Sequence, residues 1–265
     1  MKASERLAIC LLVLIGLDSL PASAAPGNVD ALNSADHLRR GLDFASRKYP
    51  EEAVGEFKKC SDFTRASAQQ LRFIAQTYLE VGEPAACLKV IDYALSQKRV
   101  KDDKDQVAWL LDLRGTALAS LNRTDQAVSA YKLAASTKPD MAYFYLAKAG
   151  ELLMKDKKYK EALPFLNSGL KTNAMKGFVY KNIGYCYLEL KEPAKASAPL
   201  VASISAFESY RKNGKTEAFL PGLIESHKYL VRVYKETGNR QEALVWQKRL
   251  DGLLTQLNTD FFGKR

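Results

Sequence analysis

The segment YKNIGYCYLELKEPAKA, residues 180–196, decides how the chain is read. It holds Tyr180, Gly184, Tyr187, Pro193 and Ala196. So many polar aromatics fit either an active-site segment or one copy of a repeated helical hairpin, and the rest of the chain favours the copy. With Ala53, Cys87, Ala127, Ala162, Ala196 and Ala243 taken as equivalent, a large residue lies nine positions upstream of each: Phe44, Tyr78, Leu118, Leu153, Tyr187 and Tyr234. Four positions downstream lie Phe57, Ile91, Tyr131, Leu166, Leu200 and Gln247. Three before the large residue stand Gly41, Ala75, Gly115, Gly150 and Gly184, with Val231 as the exception. The intervals between mid-repeat residues are 34, 40, 35, 34 and 47, and a period of about 34 residues marks a helix-turn-helix array.

From Ser34 onward apolar residues recur at three and four positions, and no stretch alternates long enough to call for a strand. The fold class is therefore all-α, built from antiparallel helix pairs. A Gly or Ala in the first helix of a pair lets the second helix approach closely, and the large residue one turn later fills the space beside it. No single pair buries both of its faces, so several must stack.

These residues resemble the tetratricopeptide repeat, W-x2-L-G-x2-Y followed by A-x3-F and P. Tyr180, Ile183, Gly184, Tyr187 and Ala196 match it with Leu200 in the Phe place. Leu111, Gly115, Leu118, Ala127, Tyr131 and Pro139 give a second match, and Leu146, Ala149, Gly150, Leu153 and Ala162 a third. The copies from Ser34, Ala68 and Ile224 depart from it at Arg40, Cys87 and Gln247. The resemblance implies a right-handed superhelical solenoid of about six antiparallel helix pairs with a concave groove lined by the first helices. At the fifth and ninth places of each copy it implies Leu38 and Leu42, Arg72 and Gln76, Asp112 and Thr116, Ala147 and Glu151, Lys181 and Tyr185, Lys228 and Arg232. Trp109, Phe144 and Phe178 join at the second places, and Lys235 extends the basic end. The carboxylate clamp of some relatives is not implied: Arg72 and Gln76 echo it, but Leu113 stands where its Asn belongs.

The chain divides into a signal peptide (1–24), a lead-in (25–33), the array (34–258) and a tail (259–265). Lys2 and Arg6 precede an uncharged run at 7–17, and Ala22 and Ala24 follow at the spacing of a cleaved secretory signal. Eleven residues are too few for a helix across a bilayer core of about 30 Å. Export to a periplasm or out of the cell is expected, with a bacterial origin favoured. Two insertions lengthen the array, a charged and loop-like one at 96–106 and one at 203–222. The second reads as a prolonged second helix, a turn at Asn213 and Gly214, and a restart at Pro221.

The formal net charge is +10, and removing 1–24 leaves it unchanged, because Lys2 and Arg6 offset Glu5 and Asp18. Cys60, Cys87 and Cys186 remain after cleavage, an odd number with no C-x-x-C spacing. At the positions of small buried residues they read as core thiols, with an inter-chain disulfide as the rival. With His37 and His227 the only histidines, no metal cluster, catalytic triad or phosphate loop takes shape, so neither cofactor nor enzymatic activity is expected. Lys and Arg are interleaved with Asp and Glu, which speaks against nucleic acid. The expected function is a protein–protein interaction scaffold of the cell envelope or secretory space, binding an extended peptide or partner helix of acidic character. The alternatives are a self-assembling structural protein and an accessory module of an envelope enzyme complex acting on an anionic polymer. Contact of the basic inserts or the tail with a membrane surface is a further option.

Overall fold

In the computed structural model, which describes residues 33–170, 176–212 and 219–262 (side chains of 212 and 258–262 excepted), the helical periodicity resolves into thirteen α-helices. Repeat 1 is α1 (Ser34–Ser46) and α2 (Pro50–Lys59), and repeat 2 is α3 (Ala68–Glu80) and α4 (Pro84–Ser96). A single turn, α5 (Lys98–Lys101), precedes repeat 3, α6 (Lys104–Ser120) and α7 (Thr124–Thr137). Repeat 4 is α8 (Ala142–Lys155) and α9 (Tyr159–Gly169), repeat 5 is α10 (Lys176–Glu189) and α11 (Pro193–Lys212), and repeat 6 is α12 (Leu220–Glu236) and α13 (Arg240–Phe262). The described residues contain no strand, as the periodicity required. They form two compact bodies divided between Lys138 and Pro139, three repeats in each. The signal peptide and almost all of the lead-in lie outside the described residues, as do Asn213 and Gly214 and residues 263–265 of the tail.

Each pair is closed by the same backbone device. One residue per repeat, five before the mid-repeat residue, has positive φ: Lys48, Gly82, Asn122, Lys157, Lys191 and Gly238. Its N–H donates to the carbonyl three residues back, as Lys157 does to Met154 at 2.9 Å. In five repeats the next N–H reaches the carbonyl of the large residue, Tyr49 to Phe44, Glu83 to Tyr78, Arg123 to Leu118, Lys158 to Leu153 and Glu192 to Tyr187, at 2.8–3.0 Å. These paired bonds satisfy the last carbonyls of the first helix and reverse the chain. Pro50, Pro84 and Pro193 then open the second helix, where a missing N–H is harmless.

The small residue of the first helix lies directly beneath the large residue of the second. A Cβ at Gly41 would strike the Phe57 ring, one at Gly115 would lie 2.6 Å from Tyr131 Cε1, and one at Gly184 2.5 Å from Leu200 Cγ. Repeat 6 exchanges this couple for Val231 and Gln247. In the C-terminal body the core joins Leu188, Leu200, Ile204 and Phe207 to Leu223, Leu230 and Val233. Phe207 is enclosed so closely that a Cβ at Gly222 would approach its Cζ to 2.6 Å.

The insertion at 96–106 differs from the loop expected. Lys98–Lys101 makes a helical turn that buries Val100 in the N-terminal core, Arg99 Nη2 donates to the Ala66 carbonyl at 2.8 Å, and Asp103 caps α6 by accepting from Asp105 and Gln106 N–H. Its charges hid one buried valine and a helix cap. The insertion at 203–222 lengthens α11 to Lys212, and Pro221 falls in the first turn of α12.

Candidate partner-binding surface

Within each body the first helices of successive repeats are in contact, and residues placed in the groove meet one another there. In the C-terminal body α10 and α12 are in contact. Lys181 Nζ lies 2.6 Å from Glu225 Oε2, the Tyr185 and Tyr229 rings are 5.1 Å apart, and Arg232 Nη1 donates to Glu189 Oε1 at 2.6 Å. Arg232 Nε also binds Glu236 Oε1 at 2.7 Å. In the N-terminal body the Arg72 guanidinium lies over the Trp109 ring at 5.6 Å. The fifth place of one repeat thus faces the second place of the next: Arg72 meets Trp109 as Lys181 meets Glu225. Burial pushes the Tyr185 phenol up to about 12, helped by its hydrogen bond with Tyr159, whose ring stands edge-on at 5.9 Å.

Several expected groove residues therefore have other duties. Leu38 and Leu42 are core residues, 3% and 1% exposed. Phe178 stands edge-on to Phe207 at 4.8 Å and beside Phe219 at 5.9 Å, so it packs on the core instead of standing in an open aromatic middle. Asp112 is buried, and Thr116 Oγ1 donates to its carbonyl and lies 3.2 Å from the Tyr131 hydroxyl. Gln76 is exposed and donates to Glu80, Phe144 lies edge-on to Tyr145 at 5.5 Å, and Glu151 accepts from Asn182 at 3.2 Å. Ala147 is half-buried. The partners missed by sequence reasoning, Glu189, Glu225 and Tyr229, occupy places that carry no consensus residue. Their signal was only a charge or ring opposite Lys181, Tyr185 and Arg232.

One part of this surface stays uncovered. On repeat 6 an open cleft of about 480 Å³ is lined by Lys228, Val231, Arg232, Lys235 and Glu236 of α12 and by Gln247 and Leu250 of α13. Val231 and Leu250 are buried and give it an apolar floor. Lys228 and Lys235 are exposed and form no ion pair among the described residues, in contrast to Lys181 and Arg232. Of the corresponding residues of repeat 5, Leu188 and Leu200 are buried in the core with Leu223 and Leu230 of α12, Ser203 Oγ lies 2.8 Å from Ser226 Oγ, and Gly184 is buried beneath Leu200. Of the residues expected in the groove, Lys228, Arg232 and Lys235 are brought together here.

The histidines are in structural use. His37 Nδ1 lies 2.8 Å from Glu56 Oε2, and that bond, with Lys59 nearby, holds the Glu56 carboxyl below its ordinary value. His227 is buried beside Trp246, its Nδ1 2.9 Å from the Leu223 carbonyl, and burial lowers its pKa. Cys60, Cys87 and Cys186 are all buried, and burial pushes the Cys87 and Cys186 thiols up to about 12. Among the described residues no group of three His, Cys, Asp or Glu could hold a metal ion, and no helix is long and apolar enough to cross a membrane.

Solved structures share this stacking of helix pairs. BtubC (BKLC) from P. vanneervenii is 18% identical over 85% of this chain and 91% of its own, with a TM-score of 0.60. MamA from Desulfovibrio magneticus RS-1 is 22% identical over 71% of this chain and 96% of its own, with a TM-score of 0.52. A putative kinesin light chain from Podosopora anserina, with nearly identical TPR-like repeats, is 12% identical over 72% and 95%, with a TM-score of 0.53. The fold is of the tetratricopeptide-repeat type. No family model matches the chain. No curated protein is similar enough to match it. The tetratricopeptide-type fold thus persists here at identities where only the helix-pair architecture is shared.

Proposed function

We propose that this protein is a non-enzymatic protein–protein interaction scaffold that is exported by a cleaved signal at 1–24 into a periplasm or beyond the cell, and that it binds a peptide or helix of acidic character. The observation that carries the reading is the cleft on repeat 6, where an apolar floor is flanked by two lysines that form no ion pair among the described residues, the lining Glu236 being held by Arg232. Every other cation of the expected groove is engaged: Arg72 on Trp109, Lys181 with Glu225, and Arg232 with two glutamates. Lys228 and Lys235 are therefore the charges left for a partner. Crosslinking followed by affinity capture in the native compartment, with the full chain and a Lys228→Glu, Lys235→Glu chain, tests this. Both side chains are exposed, so the exchange leaves the fold intact; loss of the captured partner is expected, and undiminished capture defeats the assignment.

A second reading, self-assembly, is favoured by the exposed apolar residues Leu244 and Val245 on α13, of which Leu244 is 71% exposed. Light scattering over a concentration series separates the two, since a mass that stays at one chain removes self-assembly.

A further inference from the structure

The cleft of repeat 6 repeats the recognition code that repeat 5 uses to hold a helix. On repeat 5, Lys181 and Glu189 stand eight positions apart on α10 and take Glu225 and Arg232 of α12, while Tyr185 between them takes the Tyr229 ring. On repeat 6 the same two places hold Lys228 and Glu236, with Arg232 in the place of Tyr185. The two charged places are kept and the central one is exchanged; Glu236 accepts from Arg232 Nε at 2.7 Å, and among the described residues the cleft above them is open. Two neighbours differ in the direction that an exchangeable occupant requires. Leu188 and Leu200, both fully buried on repeat 5, correspond to Lys235 and Gln247. Those polar groups keep the face soluble when nothing lies on it.

We infer that this cleft receives one amphipathic helix of a partner protein, lying on repeat 6 as α12 lies on repeat 5. The helix carries an acid against Lys228, an aromatic residue four positions later against the Arg232 guanidinium, and a base seven positions after the acid against Glu236. Lys235 takes a second acid, so the partner helix is acidic overall. Arg232 is already oriented by Glu189 and Glu236, so a ring laid on it meets a fixed cation. The inference rests on the scaffold reading and gives it a helical ligand and a register.

A labelled synthetic peptide with the sequence of α12, residues 220–236, serves as the probe of the register alone: it carries Glu225, Tyr229 and Arg232 at these spacings but, with Lys228 and Lys235 also in it, is not acidic overall. Fluorescence anisotropy against the full chain should show saturable binding at low salt. Affinity should fall about tenfold for a Lys228→Glu chain, and a peptide carrying Glu225→Lys should restore it on that chain. Absence of saturable binding up to about 1 mM peptide, or equal affinity for the two chains, overturns the inference. Concentration-dependent self-association abolished by Lys228→Glu also overturns it, since the occupant is then a second copy of this chain. If the peptide fails while native partner capture still depends on Lys228 and Lys235, the scaffold reading stands and only the helical register falls.

Discussion

Lys157 has the backbone angles of a glycine. Its φ of 59° lies in the left-handed region, and Lys48 and Lys191 share the place, at 65° and 61°. A side chain there crowds the following carbonyl, at a cost of roughly 1–2 kcal/mol. The paired turn bonds hold the residue there nonetheless. Lys157→Gly relieves the crowding while loosening the unfolded chain, so a net gain of about 0.5–1 kcal/mol is expected, read as a higher urea midpoint at unchanged slope. Glycine at 82 and 238 suits the left-handed place, whereas lysine at the equivalent place carries no sequence signal of it. At this scale the sequence betrays residues chosen for their side chains and hides those tolerated for their backbone.

The helix pairs were legible because their spacing follows from packing inside a single repeat. Gly184 under Leu200 is such a contact, and a larger side chain there must push α10 and α11 apart. Gly184→Val is expected to cost about 1–3 kcal/mol. Gly55, also helical but with open space where a Cβ would stand, is the control: Gly55→Ala should leave stability unchanged or raise it by up to about 1 kcal/mol. Thermal unfolding of the two variants side by side checks the contrast. The groove was less legible, because whether a side chain at the fifth place is free depends on the second place of the next repeat. Lys181 is available by its place in the repeat, yet Glu225 lies 2.6 Å away, and Phe178 has the place of a groove ring, yet Phe207 and Phe219 lie against it. Residues 98–101 escaped for a related reason: only Val100 among those charges goes inward.

Across the whole molecule the formal charge is +10, yet the groove cations are largely spoken for by nearby glutamates or a ring. On the proposed reading, attraction for an acidic partner is concentrated at Lys228 and Lys235, with the remaining charge acting as a diffuse field. Partner capture should weaken several-fold as salt rises from about 50 to about 500 mM, where the screening length drops from over 10 Å to a few Å. The Lys228→Glu, Lys235→Glu chain should lose most of that salt dependence, which titration at the two salt concentrations would measure.

The face of repeat 6 also bears on what that repeat does for its neighbour. With repeat 6 present, this face carries Lys235 and Gln247 beside Val231 and Leu250 and stays wettable. Losing repeat 6 itself would strip α12 from repeat 5 and bare Leu188, Leu200, Ile204 and Phe207 together, a patch prone to aggregation.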